Sequence, residues 1–115
     1  MSKAEQPVYL KLREKIAAAI LDGRYGDGDP LPSVRAFAAE EGANPLTVAK
    51  AYQTFQDDGI VVVRRGVGMF VANGASEKLK TRERDIFLKD EWPKIVRHIE
   101  RLGLDTVELL DRETA

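Results

Sequence analysis

The chain has 115 residues, 43% of them hydrophobic, and no cysteine, so it can bury one small core and carries no disulfide, thiolate metal site or thiol nucleophile. Charged residues make up 32%, and no apolar run reaches the length of a membrane-spanning helix. The formal net charge of −1 is not the bulk basic signature of a nucleic-acid binder, and residues 1–73 hold nine Lys and Arg against nine Asp and Glu, so any grip on DNA has to come from a local basic footprint.

The opening stretch MSKAEQPVYL lacks a hydrophobic export segment, which makes the cytoplasm the expected location. Residues 8–21 read as a helix, with Val8, Leu12, Ile16, Ala19 and Ile20 as one apolar stripe and Pro7 at its start. Asp22-Gly23 ends it. The next stretch, DGRYGDGDPLP, is rich in glycine and proline and reads as a loop stiffened near its end, with Leu31 tucked into the core between Pro30 and Pro32.

Residues 34–41 form a second predicted helix, with Ser33 as N-cap and Val34, Phe37 and Ala38 facing inward. Arg35 falls in its first turn, where a cation opposes the helix dipole. Either it is an ordinary exposed arginine, or it has a use beyond stability, such as reaching a phosphate or a guanine edge.

Gly42-Ala43 is a tight turn, and the stretch from Asn44 to Gly59 is the third helix. Asn44 is the cap, Pro45 the first helical residue, and Gly59 the left-handed terminator. Val48, Ala51, Tyr52 and Phe55 recur at the spacing of one buried face. The opposite face carries Leu46, Thr47, Lys50, Gln53 and Thr54, nearly free of acid until Asp57, whereas a solvated face usually mixes both signs. Helix, short turn, helix is the helix-turn-helix pattern, whose second helix enters the major groove. Residues 60–64 and 69–72 then read as two short strands around Arg65-Gly66-Val67-Gly68, a ribbon with Arg64 and Arg65 near its tip. Gly66-Val67-Gly68 is not a phosphate loop, because no Lys-Ser or Lys-Thr follows and no helix begins there. The expected fold is therefore mainly α with a small β-ribbon: a winged helix-turn-helix over residues 7–73, followed by a helical tail over residues 77–112.

In the tail, residues 73–76 read as a linker and residues 77–102 as helical, with Leu79, Ile86, Trp92, Ile95, Val96, Ile99 and Leu102 apolar. Pro93 should kink or restart that helix. Gly103 stops it, and Asp105 to Glu108 opens a last short helix. Two such helices cannot bury their apolar faces alone. They fold back on the winged domain or pair with a second copy. His98 is the sole histidine, with no nucleophile beside it, so an enzyme or a His-based metal site has no material, and no cofactor is expected. A winged helix that binds only protein is the competing non-enzymatic reading, and the lack of net positive charge favours it.

The run from Pro7 to Ala72 resembles the DNA-binding domain of the GntR family of bacterial transcription regulators. The resemblance rests on Pro7 and Tyr9, on Gly28-Asp29-x-Leu31-Pro32-Ser33-x-Arg35, on Asn44-Pro45-x-Thr47-Val48, on Ala51-Tyr52-x-x-Phe55 with Phe in place of the usual Leu, on Asp58-Gly59, and on Arg65-Gly66-x-Gly68-x-Phe70-Val71. It implies DNA contact from Ser33, Arg35, Asn44, Pro45, Leu46, Thr47 and Lys50, with Arg65 and Gly66 at the wing. The chain departs from the family pattern at Ala49, where a basic residue often stands, and at Leu46, where a polar one is common. Leu46 either meets a thymine methyl or lies half buried. The short tail resembles that of the YtrA subfamily, which implies a homodimer formed through the C-terminal helices on an operator. Apart from the resemblance, the tail is too short for a deep enclosed pocket, and a dimer cleft near Trp92 and His98 could take a small effector.

Overall fold

In the computed structural model, which describes residues 7–114, the first helix, α1, runs Val8–Leu21. Residues 1–6, and with them most of the stretch read for an export signal, lie outside the described residues. Helix α1 buries Leu12, Ile16, Ala17 and Ile20. The apolar stripe differs from the expected one at two positions. Val8 is 55% exposed, and Ala17 rather than Ala19 is buried.

Ser33 and Asn44 cap the next two helices as their side chains allow. The Ser33 Oγ accepts from the Ala36 N–H at 3.1 Å at the start of α2, Val34–Glu41. The Asn44 Oδ1 accepts from the Leu46 N–H at 2.8 Å at the start of α3, Pro45–Asp57. Pro45 gives up no intrahelical bond at this position, since the first N–H groups of a helix have no partner inside it. Beyond α3, Gly59 takes a φ of +77°, which lets the Ile60 N–H turn back to the Phe55 carbonyl at 2.8 Å.

The ribbon follows directly. Strand β1, Val61–Arg64, pairs antiparallel with β2, Gly68–Val71, from Val61 opposite Val71 to Arg64 opposite Gly68. Strand β1 starts one residue later than the expected 60–64 and ends at the same residue, and β2 lies one residue earlier than the expected 69–72. The proline-rich loop is more ordered than its composition suggests. The Gly28 N–H donates to the Val71 carbonyl at 2.8 Å, the Val71 N–H to Asp29 at 2.9 Å, and the Leu31 N–H to Met69 at 2.9 Å, so the loop runs beside β2 as a third rail. Leu31 is buried, as expected.

Helix α4, Ala75–Ile86, begins earlier than the expected residue 77, and Ala75 and Leu79 join the core of the winged unit. Leu79 therefore does not belong with the apolar positions of the tail. The chain divides into two compact units, the first ending at Lys80 and the second starting at Thr81. In the second unit the rest of α4 leads into a π-helical turn, Phe87–Glu91, then α5, Trp92–Leu102, and α6, Thr106–Thr114. The π turn is the form that the disturbance around Pro93 takes: the Trp92 N–H reaches back to the Phe87 carbonyl, and the helix resumes with the proline in its first turn. Gly103 ends α5 at a φ of +69°, and Asp105 Oδ1 accepts from the Val107 N–H at 3.1 Å to start α6. Among the described residues no helix is long and apolar enough to cross a membrane.

Candidate nucleic-acid interface

Helix α3 has two sides of different chemistry. Val48, Ala51, Tyr52 and Phe55 are buried to within 1% of full enclosure, while Asn44, Pro45, Leu46, Ala49, Lys50 and Gln53 are exposed and Thr47 is half-buried. Leu46 is 80% exposed, which removes the half-buried alternative and leaves its methyl groups presented to whatever approaches. Thr54 does not belong to this outer side. It is half-buried, with its hydroxyl donating to the Ala51 carbonyl at 2.6 Å and accepting from the Arg13 Nε at 3.0 Å.

The cation on the outer side is braced. The Lys50 ammonium lies 4.1 Å from the centroid of the Tyr9 ring, a cation–π contact that steadies a long side chain while leaving its charge exposed. The nearest acid along the helix, Asp57, accepts from the Gln53 amide at 3.0 Å. Arg13 faces inward instead. Its guanidinium sits 4.6 Å from the Phe55 ring and pairs with Asp58 at 3.2 Å.

A single hydrogen bond ties α3 to the start of α2. The Tyr52 hydroxyl donates to the Pro32 carbonyl at 2.7 Å, one residue before the Ser33 cap. Burial, with Tyr25 and Glu40 nearby, pushes the Tyr52 phenol above its ordinary range, so it keeps its proton and remains a donor. Phe37 packs on the same ring at a centroid distance of 6.2 Å. Ser33 uses its oxygen as the helix cap, which leaves its O–H free to donate outward. Arg35 is exposed in the first turn of α2 and forms no ion pair among the described residues.

At the wing tip the Val67 N–H closes a turn onto the Arg64 carbonyl at 2.9 Å, with Gly66 at a φ of +78°. A left-handed residue at that place is what glycine permits. Arg64 and Arg65 are both exposed at this end of the ribbon, and the Arg64 guanidinium is steadied 4.9 Å from the centroid of the Phe70 ring. Ser33, Val34, Arg65 and Gly66 line one open groove of about 530 Å³ between the wing and the start of α2. The structure thus brings Ser33, Arg65 and Gly66 together. Asn44, Pro45, Leu46, Thr47 and Lys50 form a second stretch, linked to the first through Tyr52 and Pro32. The bracing roles of Tyr9 and Tyr52 had no readable signal beyond an aromatic at helical spacing. Among the described residues no cluster of three or more His, Asp or Glu side chains could hold a metal ion.

Three helices, a capped outer face on the third, and a β-ribbon with a glycine-bent basic tip define a winged helix-turn-helix protein of the DNA-binding class. A family model described as bacterial regulatory proteins, gntR family, matches residues 8–71, and the chain belongs to that family. The HTH-type transcriptional regulator YhcF of Bacillus subtilis (strain 168) is 30% identical over 109 residues, covering 95% of this chain and 88% of its own length. The HTH-type transcriptional repressor YtrA of the same organism is 35% identical over 77 residues, 67% of this chain but only 59% of the repressor's length. The solved structure of the AraR DNA-binding domain in complex with operator ORR3 superposes with a TM-score of 0.56 at 26% identity, over 57% of this chain and 80% of that one. The protein is a DNA-binding transcription regulator of the GntR family, and its relatives are regulators rather than enzymes.

Proposed function

We propose that the protein acts in the cytoplasm as a dimeric repressor on an inverted-repeat operator, reading each half-site with the start of α3. In this reading Leu46, Thr47 and Lys50 face base edges in the major groove. Ser33, Arg35, Asn44 and Pro45 meet the phosphates beside it, and Arg65 and Gly66 hold the flank with the wing. The observation that carries it is the outer side of α3: capped, exposed over its first two turns, and holding a lysine steadied by Tyr9 with no acid beside it.

The second unit supports pairing. Phe87, Leu88, Trp92, Ile95, Leu102, Val107 and Leu110 are all exposed, more large apolar surface than a lone pair of short helices leaves in water. A second copy would cover it and set two recognition helices about 34–36 Å apart, one turn of DNA. A small effector would find its place between the paired tails near Trp92 and His98, both exposed.

Two measurements test this reading. Sedimentation of the full chain should give a dimer at micromolar concentration. Anisotropy titration of an inverted-repeat duplex selected from genomic fragments should show affinity falling steeply with salt, as phosphate contacts release counterions. A monomer with salt-independent association would overturn it.

A further inference from the structure

Over the first two turns of α3, residues 45–51, the polar side chains are Thr47 and Lys50 alone. The outer side of those turns is otherwise hydrocarbon. Leu46 is 80% exposed and Ala49 is exposed, and at i and i+3 they are neighbours on the helix surface. The polar groups around them are held. The Asn44 Oδ1 accepts from the Leu46 N–H as the cap, Gln53 turns its amide nitrogen to Asp57, and the Lys50 ammonium rests on the Tyr9 ring. Thr47 is half-buried.

A side built in this way offers few hydrogen bonds to base edges. In the major groove the nitrogen and oxygen atoms of the bases are read by donors and acceptors, and the thymine 5-methyl is the feature read by apolar contact. An aliphatic pair packs against such a methyl without burying a polar group. Pressed on a G·C edge, it would strip water from donors and acceptors without replacing it. Leu46 and Ala49 lie about 4.5 Å apart along the helix axis, close to the rise of about 3.4 Å between stacked bases.

We infer that Leu46 and Ala49 form a methyl-reading strip that selects two neighbouring A·T pairs in each operator half-site, with Leu46 on one thymine methyl and Ala49 on the next. The inference rests on the reading of α3 as the helix that faces DNA, and it names what that side recognises. Lys50 supplies charge beside the strip, and the strip supplies the preference for thymine.

The test uses the full chain and the selected operator duplex. Each thymine of the half-site is replaced in turn by deoxyuridine, which removes the methyl and keeps the base pair. Wild-type affinity should fall about four-fold at two neighbouring positions, the scale of one buried methyl group, and stay level at the others. This arm changes only the DNA, so it stands whether or not a variant folds. Leu46→Ala should erase the loss at one of the two positions and keep it at the other, and Ala49→Gly should do the reverse. Leu46→Met, which keeps an aliphatic reach, should retain both. At the position tied to Leu46, 5-methylcytosine in place of thymine should bind more tightly than cytosine with the wild-type chain and equally with Leu46→Ala. Affinity unmoved by any deoxyuridine, with Lys50→Ala still weakening the complex, overturns the strip and leaves the reading of α3 standing. Affinity unmoved by deoxyuridine and by Lys50→Ala alike overturns both. Equal methyl losses in wild type and Leu46→Ala overturn the assignment to Leu46. So does a Leu46→Ala chain whose sedimentation changes while every methyl stays silent, which would place the strip against a second copy.

Discussion

The Tyr52 hydroxyl donates a 2.7 Å hydrogen bond to the Pro32 carbonyl, and this bond joins α3 to the turn that starts α2. Tyr52→Phe keeps the ring on Phe37 and removes only the bond. A net loss of about 1 kcal/mol is expected, since the half-exposed Pro32 can regain water. Urea unfolding should show the drop. Operator affinity measured well below the melting temperature should fall less than for a variant that removes a charge.

The same phenol predicts an alkaline effect. Its folded pKa is raised above the ordinary value near 10, first by burial and then by Tyr25 and Glu40. A raised folded pKa means that the stabilisation is fully present below the unfolded value. It is lost progressively as the pH climbs from about 10 toward the folded value, because the unfolded chain gives up its proton first. Stability measured against pH should fall in that window for the wild-type chain. Tyr52→Phe should flatten that part of the curve, and an unchanged slope would show that the phenol is not held neutral by the fold.

Arg35 and Lys50 are the charges whose removal separates binding from folding. Arg35→Ala and Lys50→Ala should each weaken operator binding by about 1–3 kcal/mol. Arg35 forms no ion pair among the described residues, so its variant should melt like wild type. Lys50 sits on Tyr9, and its variant should lose in addition about 0.5–1 kcal/mol of stability. Unchanged gel-shift affinity in both would refute the assignment of this face.

Arg13 supplies the opposite case. Its guanidinium is bonded to Thr54 and Asp58 and stacked on Phe55, with only 16% of the side chain exposed. Arg13→Leu should cost about 2 kcal/mol of stability, the scale of a hydrogen bond to a charged group. Affinity for DNA should stay unchanged at temperatures where the variant is folded. A variant that binds weakly while melting normally would place Arg13 in the interface instead.

The contrast between these two arginines shows what a linear sequence discloses. Caps and terminators act within four residues, so Ser33, Asn44, Pro45 and Gly59 announced α2 and α3, and both helices have the expected bounds. Apolar spacing announced the buried face of α3 in full. Contacts across tens of residues depend on how helices cross, and spacing carries no information about that. Spacing therefore places Thr54 on the outer face, whereas Arg13, 41 residues away, binds it. Spacing places Leu79 with the tail because its helix continues into the tail, whereas its side chain is buried in the winged core. Pro93 announced a disturbance, but whether a helix kinks, breaks or adds a π turn depends on the neighbouring backbone.

Gly59 offers the most local test of how α3 ends. At a φ of +77° an alanine is strained, and its Cβ would lie 3.0 Å from the Lys78 ammonium. The ammonium is the far end of a flexible chain and can move, so the backbone term dominates, and Gly59→Ala should cost about 1–2 kcal/mol. Adding Lys78→Ala removes the close approach. If the strain is in the backbone, the double variant recovers little of the loss. Nearly full recovery, read from urea midpoints at constant slope, would show instead that Lys78 packing against the end of α3 is the larger effect.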